Sequence, residues 1–95
     1  MNERAKSSVS PLARKLKLIR VGLGLSQNEI LNQMGFGHML FRSNISQYER
    51  GLRVPSPKLL LAYSRLAKVD LAVLIDDELE LEDRFVDTKH PAGKK

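Results

Sequence analysis

The segment 44–51, with the sequence Asn-Ile-Ser-Gln-Tyr-Glu-Arg-Gly, places the tightest constraint on what this chain can fold into. Ile45, Tyr48 and Glu49 are spaced i, i+3, i+4 and share one face of a short helix, while the other residues before the glycine are polar. A glycine in that place is typical of a helix end because it accepts the left-handed backbone. We therefore predict a helix over about residues 43–50 with a packed inner face and a polar outer face.

Capping residues predict four further helices. Ser10 with Pro11, and Ser56 with Pro57, each place a capping serine before a proline at the first helical position, where the missing N–H costs nothing. Ser26 followed by Glu29 has the spacing of a capping box. The predicted helices cover about residues 11–21, 26–34 and 56–68, and a short one follows Asp70. Strand periodicity is weak and confined to residues 78–82, so the predicted fold class is all-α.

Apolar spacing indicates which faces form the core. In the first helix the apolar residues follow one stripe and the basic residues lie off it. The stripe comprises Leu12, Leu16, Ile19 and Leu23, and the basic residues are Arg14, Lys15 and Lys17. Leu71, Leu74 and Ile75 are expected to close the core. The connection at 35–43 is too apolar for a solvated loop, so we expect it to pack down, with a short extra turn.

Composition limits the class of protein. Ninety-five residues form one small domain, and a chain of this length buries about two thirds of its unfolded surface. The absence of cysteine excludes disulfides and thiolate metal sites, and suits the cytoplasm. The longest apolar run, at 59–63, is far too short for a membrane span, and the first residues lack the apolar centre of a secretion signal. We expect a cytoplasmic protein with no membrane partner.

Charge is divided unevenly along the chain, and this division predicts its organisation. Residues 1–75 carry twelve Lys or Arg and four Asp or Glu, whereas residues 76–87 carry seven acids and one base. A basic domain attracts polyanions, which favours nucleic acid or an anionic surface as a partner over a charge that only keeps the protein soluble. We predict a flexible basic arm at 1–9, a packed domain at 10–76 and an acidic, then basic, tail at 77–95.

Three roles are open for the acidic part of the tail. It could be solvated, compete with DNA for the basic face, or contact a second subunit. The contact would use the apolar residues among the acids, which are Leu79, Leu81, Phe85 and Val86.

Many residues match one family in one order from Leu12 to Ile75, a range that covers about two thirds of the chain. They are Leu16, Ile19, Arg20, Gly24, Leu25, Ser26, Gln27, Glu29, Ile30, Ile45, Ser46, Glu49, Arg50, Gly51, Pro55, Ser56, Leu60, Val69, Leu71 and Leu74. In this order they resemble the phage-repressor-like, or xenobiotic-response-element, helix-turn-helix family. The resemblance implies a compact five-helix bundle of the lambda-repressor-like type, and an ion pair of Arg20 with Glu49 behind the third helix. The chain departs from the family at Leu31, where alanine is usual, and in a longer turn before Ile45.

By the same resemblance, the third helix contacts double-stranded DNA in the major groove, where each base pair presents a distinct pattern of donors and acceptors. The residues that match base-contacting positions are Arg42, Ser43 and Gln47, with Asn44 as a fourth candidate. An arginine can bond guanine O6 and N7, and a glutamine can bond an adenine edge. The residues expected to contact phosphate are Gln27, Arg50 and Arg53.

Residues for other chemistry are sparse. His38 and His90 are the only histidines and have no cysteine partners, so no metal site is predicted. The glycines near residues 22–27 and 35–37 lack the third glycine and the preceding strand of a dinucleotide loop. We predict neither an enzyme nor a cofactor. Two functions fit: a sequence-specific transcriptional regulator, dimeric and repressing by analogy with the family, or an antitoxin-like module that binds a protein through its C-terminal segment.

Overall fold

The computed structural model describes residues 9–85, and over this range the chain forms five α-helices and no strand. The helices are α1 (Pro11–Gly22), α2 (Gln27–Gln33), α3 (Arg42–Glu49), α4 (Pro57–Ala67) and α5 (Leu71–Ile75), followed by a 3₁₀ helix at Asp83–Phe85. The all-α prediction is confirmed, and each predicted helix is present. Most of the predicted basic arm, and the tail from Val86 onward, lie outside the described residues.

Three serine caps fix where α1, α2 and α4 begin. Each serine hydroxyl accepts the N–H of the third residue after it, at 3.1 Å for Ser10, 3.0 Å for Ser26 and 3.2 Å for Ser56. At Ser26 the capping box is complete, because Glu29 Oε1 accepts the Ser26 N–H at 2.7 Å. Gly51 follows α3 with a φ of +75°, the left-handed conformation expected for its position.

The core takes side chains from all five helices and holds α3 from behind. Leu16, Ile30, Ile45, Tyr63 and Leu74, one from each helix, are fully buried. Both α1 and α2 pack against α3, and α4 packs against α5. The inner face of α3 is therefore fixed by two other helices. None of the helices within 9–85 has the length and hydrophobicity needed to cross a membrane.

The chain beyond α5 folds back onto α1 and belongs to the packed unit. Leu81 and Phe85 lie in the core, where Phe85 is 3% exposed. Gly22 permits the approach, since a Cβ there would lie 2.9 Å from Phe85 Cδ1. Arg84 covers the Phe85 ring at 4.2 Å and donates to the Ala67 carbonyl at 2.5 Å. The packed unit therefore extends to Phe85 and past the expected boundary at residue 76. Leu81 and Phe85 are therefore core residues, and the expectations of a solvated tail or of a contact with a second subunit are wrong for these two.

Two further expectations about the core are wrong. Lys15 is fully buried, and its Nζ donates to the carbonyls of Val73 at 2.6 Å and Asp76 at 3.0 Å. The C-terminal end of α5 attracts a cation because its last carbonyls have no partner within the helix. Lys15 borders the apolar stripe, four residues before Ile19, so its aliphatic stem packs while its charge reaches α5. Ile75, expected to close the core, is 55% exposed.

Candidate nucleic-acid interface

The helix α3 buries one face and exposes the other. Its buried residues are Ile45, Tyr48 and Glu49, as their spacing predicts. On the other side, Arg42 and Ser43 are exposed at the N-terminal end, and Gln47 is half-buried. Arg50 is exposed immediately after the helix. The helix begins at Arg42, one residue earlier than predicted, so Arg42 and Ser43 occupy its first turn.

Asn44 holds the start of α3. Its Oδ1 accepts the backbone N–H of Phe41 at 2.8 Å. This is half of a capping box, with asparagine in the place of Glu or Gln, and Phe41 has no side-chain acceptor to supply the other half. The oxygen of Asn44 is thus engaged within the protein, and its amide N–H groups are what remains to meet a ligand. Sequence reasoning considered Asn44 only as a base contact and missed this role.

Arg20 and Glu49 join α1 to the back of α3. Arg20 Nε donates to Glu49 Oε2 at 2.6 Å, and Nη2 donates to Oε1 at 3.0 Å, which makes the pair bidentate. The side chains are 15% and 4% exposed. Arg20 Nη1 also donates to the Leu25 carbonyl at 3.0 Å. The hydrogen bond with Glu49 raises the pKa of Arg20 above its ordinary value, so the guanidinium stays charged.

Gln27 connects the start of α2 to the same carboxylate. It occupies the first position of α2, and its Nε2 donates to Glu49 Oε1 at 3.3 Å. A glutamine amide has two N–H donors and one carbonyl oxygen, so one donor and the acceptor remain for a ligand. The contact fixes the side chain at the junction of α2 and α3. Its spacing from Glu49 in the sequence gives no indication of this bond.

Three exposed arginines lie at the start of α3 or within four residues of its end. Arg42, Arg50 and Arg53 form no ion pair with any residue of the described chain. The acidic residues at 76–85 form their ion pairs with other arginines. Glu80 Oε1 lies 3.8 Å from Arg14 Nη2, and Glu82 Oε1 lies 2.6 Å from Arg84 Nε. The positive charge beside α3 is therefore not neutralised by residues 76–85.

The connection between α2 and α3 packs only in part. Phe36 and Leu40 pack against the core, and the Phe36 carbonyl accepts the N–H groups of Met39 at 3.0 Å and Leu40 at 2.9 Å. This is the short extra turn expected from the sequence. Met39 and Phe41 project into solvent. The connection leaves Arg42 uncovered and adds an exposed aromatic ring beside it, which the sequence analysis did not anticipate.

The helix-turn-helix class is defined by two short helices, of which the second packs one face on the core and exposes polar side chains on the other. Here these helices are α2 and α3. The sequence model of the helix-turn-helix family matches residues 16–74, which is more than half of the chain. The chain therefore belongs to the phage-repressor-like, xenobiotic-response-element type of helix-turn-helix family. No curated protein sequence matches it. Members of the family are DNA-binding regulators and are generally not enzymes, and this protein is a DNA-binding helix-turn-helix regulator.

Proposed function

We propose that the protein is a cytoplasmic, sequence-specific regulator of transcription that recognises double-stranded DNA by placing α3 in the major groove. The observation that carries the proposal is the contrast between the two sides of α3. Its inner side is fixed by the core and by the Arg20–Glu49 pair. On its outer side, the side chains of Arg42, Ser43 and Gln47 form no hydrogen bond with the described residues. A ligand with ordered polar edges and negative charge matches such a surface.

Arg42 and Gln47 are the proposed base contacts, and Ser43 is a third. A guanidinium can bond guanine O6 and N7, and a carboxamide can bond adenine N6 and N7, each good pair contributing about 1–3 kcal/mol of discrimination. Asn44 is proposed to position the helix through its oxygen and to offer its N–H groups to DNA. The residues proposed to contact phosphate are Gln27, Arg50 and Arg53.

We further propose that the regulator is a homodimer that represses transcription. A two-fold dimer places two recognition helices on one side of the duplex about 34 Å apart, so each subunit binds one half-site. Ile75 and Leu79 are exposed apolar residues near the end of the packed unit and are available for such a contact. Repression then requires only that the bound dimer exclude other proteins from the same bases. In the alternative, an antitoxin-like module binds another protein through its C-terminal segment. Leu81 and Phe85 could not form that contact, because both are buried in the core.

Selection of bound fragments from a random duplex pool tests recognition directly. Affinities of wild type, Arg42→Ala, Gln47→Ala and Arg53→Ala are then measured on the selected duplex and on a scrambled one by fluorescence anisotropy. We expect the first two variants to lose preference for the selected sequence. Arg53→Ala should weaken binding to both duplexes and reduce the slope of log K against log salt by about one.

Arg65→Ala is the matched control, because Arg65 is an exposed arginine on α4, outside α3 and its flanks. It is expected to retain both affinity and preference. Equal losses on the two duplexes for Arg42→Ala and Gln47→Ala would refute base recognition by α3. Sedimentation equilibrium of the free protein and of its complex tests the dimer independently.

A further inference from the structure

Phe41 is the one exposed member of the chain's five aromatic residues. Its side chain is 75% exposed, whereas Tyr48, Tyr63 and Phe85 are buried and Phe36 packs against the core. Other large apolar side chains are also exposed, so the position of Phe41 carries the argument rather than its exposure alone. Met39, also exposed, lies beside it in the connection.

The backbone fixes where the Phe41 ring lies. Phe41 is the residue before α3, with an extended backbone at φ −117° and ψ 163°. Successive side chains of an extended segment point to opposite sides, so Leu40 packs inward and Phe41 points outward. The bond from the Phe41 N–H to Asn44 Oδ1 holds this conformation at the start of the helix. The ring is thus placed directly before Arg42 and Ser43, at the end of the helix that enters a groove first.

The major groove presents one apolar group, the 5-methyl group of thymine, and aromatic or aliphatic side chains recognise it by contact. Phe41 also lines a shallow groove of ≈ 420 Å³ together with Leu31, Leu40 and the amides of Asn28 and Asn32. We infer that Phe41 is a further specificity-determining residue, which contacts a thymine methyl group beside the bases that Arg42 and Ser43 meet. This inference rests on the proposed function and names one chemical group of the DNA that the protein distinguishes.

Single replacement of thymine by deoxyuridine tests the contact, because uracil keeps every hydrogen-bonding group and lacks only the methyl group. Each thymine of the selected duplex is replaced in turn, and dissociation constants are measured for wild type and Phe41→Ala. We expect one replacement in each half-site to weaken wild-type binding about fourfold, the effect of removing one buried methyl group. Phe41→Ala should bind the thymine duplex more weakly than wild type and show no difference between thymine and uracil there.

Two variants serve as controls. Phe41→Leu keeps an apolar side chain and should retain part of the thymine preference. Val21→Ala truncates an exposed apolar residue on α1 and should retain all of it. The cap on α3 uses the Phe41 backbone N–H, so Phe41→Ala should keep the wild-type unfolding midpoint.

The outcomes separate this inference from the function on which it rests. A selected sequence that binds equally well with uracil at every position overturns the methyl contact and leaves base recognition standing. A thymine preference that persists in Phe41→Ala assigns the methyl contact to another residue and overturns the inference. Selection that yields no preferred sequence overturns both proposals. A change in the oligomeric state of free Phe41→Ala, with the thymine preference intact, would show that the ring serves contact between copies of the chain.

Discussion

Removing the Glu49 carboxylate should destabilise the domain strongly, because three donors lose their acceptor. Glu49 accepts two hydrogen bonds from Arg20 and one from Gln27 in a site where its side chain is 4% exposed. Glu49→Ala leaves the Arg20 charge at 15% exposure without a partner, which costs about 3–5 kcal/mol when a buried pair is broken. A domain of this size has a stability of about 5–15 kcal/mol, so the loss is a large part of the total. The midpoint of thermal unfolding should fall by about 4–8 °C for each kcal/mol.

Urea unfolding followed by circular dichroism measures this loss, and two variants separate charge from packing. Glu49→Gln keeps the shape and one acceptor oxygen, so its loss should be smaller than that of Glu49→Ala. The double variant Arg20→Met with Glu49→Leu replaces the pair by apolar groups and should recover most of the stability. A loss below about 1 kcal/mol for Glu49→Ala, the value of a surface pair, would refute the reasoning, because it would mean that the carboxylate interacts with Arg20 through solvent.

Three other changes test the packing on which α3 depends, each by urea unfolding. Phe85→Ala should lose about 3–5 kcal/mol, whereas Leu52→Ala, at an exposed site, should lose less than about 1 kcal/mol; equal losses would contradict the burial of Phe85. Lys15→Met should lose about 1–3 kcal/mol because the carbonyls of Val73 and Asp76 lose their donor, while Lys17→Met on the exposed side of α1 should change little. Tyr63→Phe should be neutral or stabilising by about 1 kcal/mol, since the buried hydroxyl has no hydrogen-bond partner among the described residues. Burial raises the pKa of Tyr63, so the unfolded chain releases this proton first, and wild type should lose more stability above pH about 10 than Tyr63→Phe does.

Local chemistry made most of the fold predictable. A serine cap followed by proline, or by a glutamate three positions later, acts within one helical turn. In the structure, α1, α2 and α4 begin directly after these serines. The inner face of α3 followed from the spacing of Ile45, Tyr48 and Glu49 in the same way. Such features depend on residues that are neighbours in the sequence, so the sequence alone indicates them.

The errors have a common physical cause, which is that the deciding partner lies far along the chain. Lys15 is buried because carbonyls 58 and 61 residues away accept hydrogen bonds from its ammonium group. Phe85 is buried because Gly22 leaves space for its ring, although acidic neighbours made the segment resemble a solvated tail. The internal hydrogen bonds of Asn44 and Gln27 could not be predicted from the sequence either, because a side-chain amide bonds equally well to its own protein or to DNA. Only the fold determines which of its donors and acceptors are already bonded.

Internal bonding limits how many side chains of the candidate interface can discriminate between bases. Glu49 is buried and accepts three hydrogen bonds, Asn44 Oδ1 accepts one from the Phe41 N–H, and Gln27 has given one donor to Glu49. Among the proposed base contacts, Arg42 and Gln47 are then the two able to form bidentate bonds, which amount to about 2–6 kcal/mol of discrimination in one subunit. Specific binding commonly exceeds nonspecific binding by about 4–10 kcal/mol, so one copy of α3 reaches only the lower part of that range. The difference is the physical reason to expect both a second copy of α3 on the DNA and an apolar contact from Phe41.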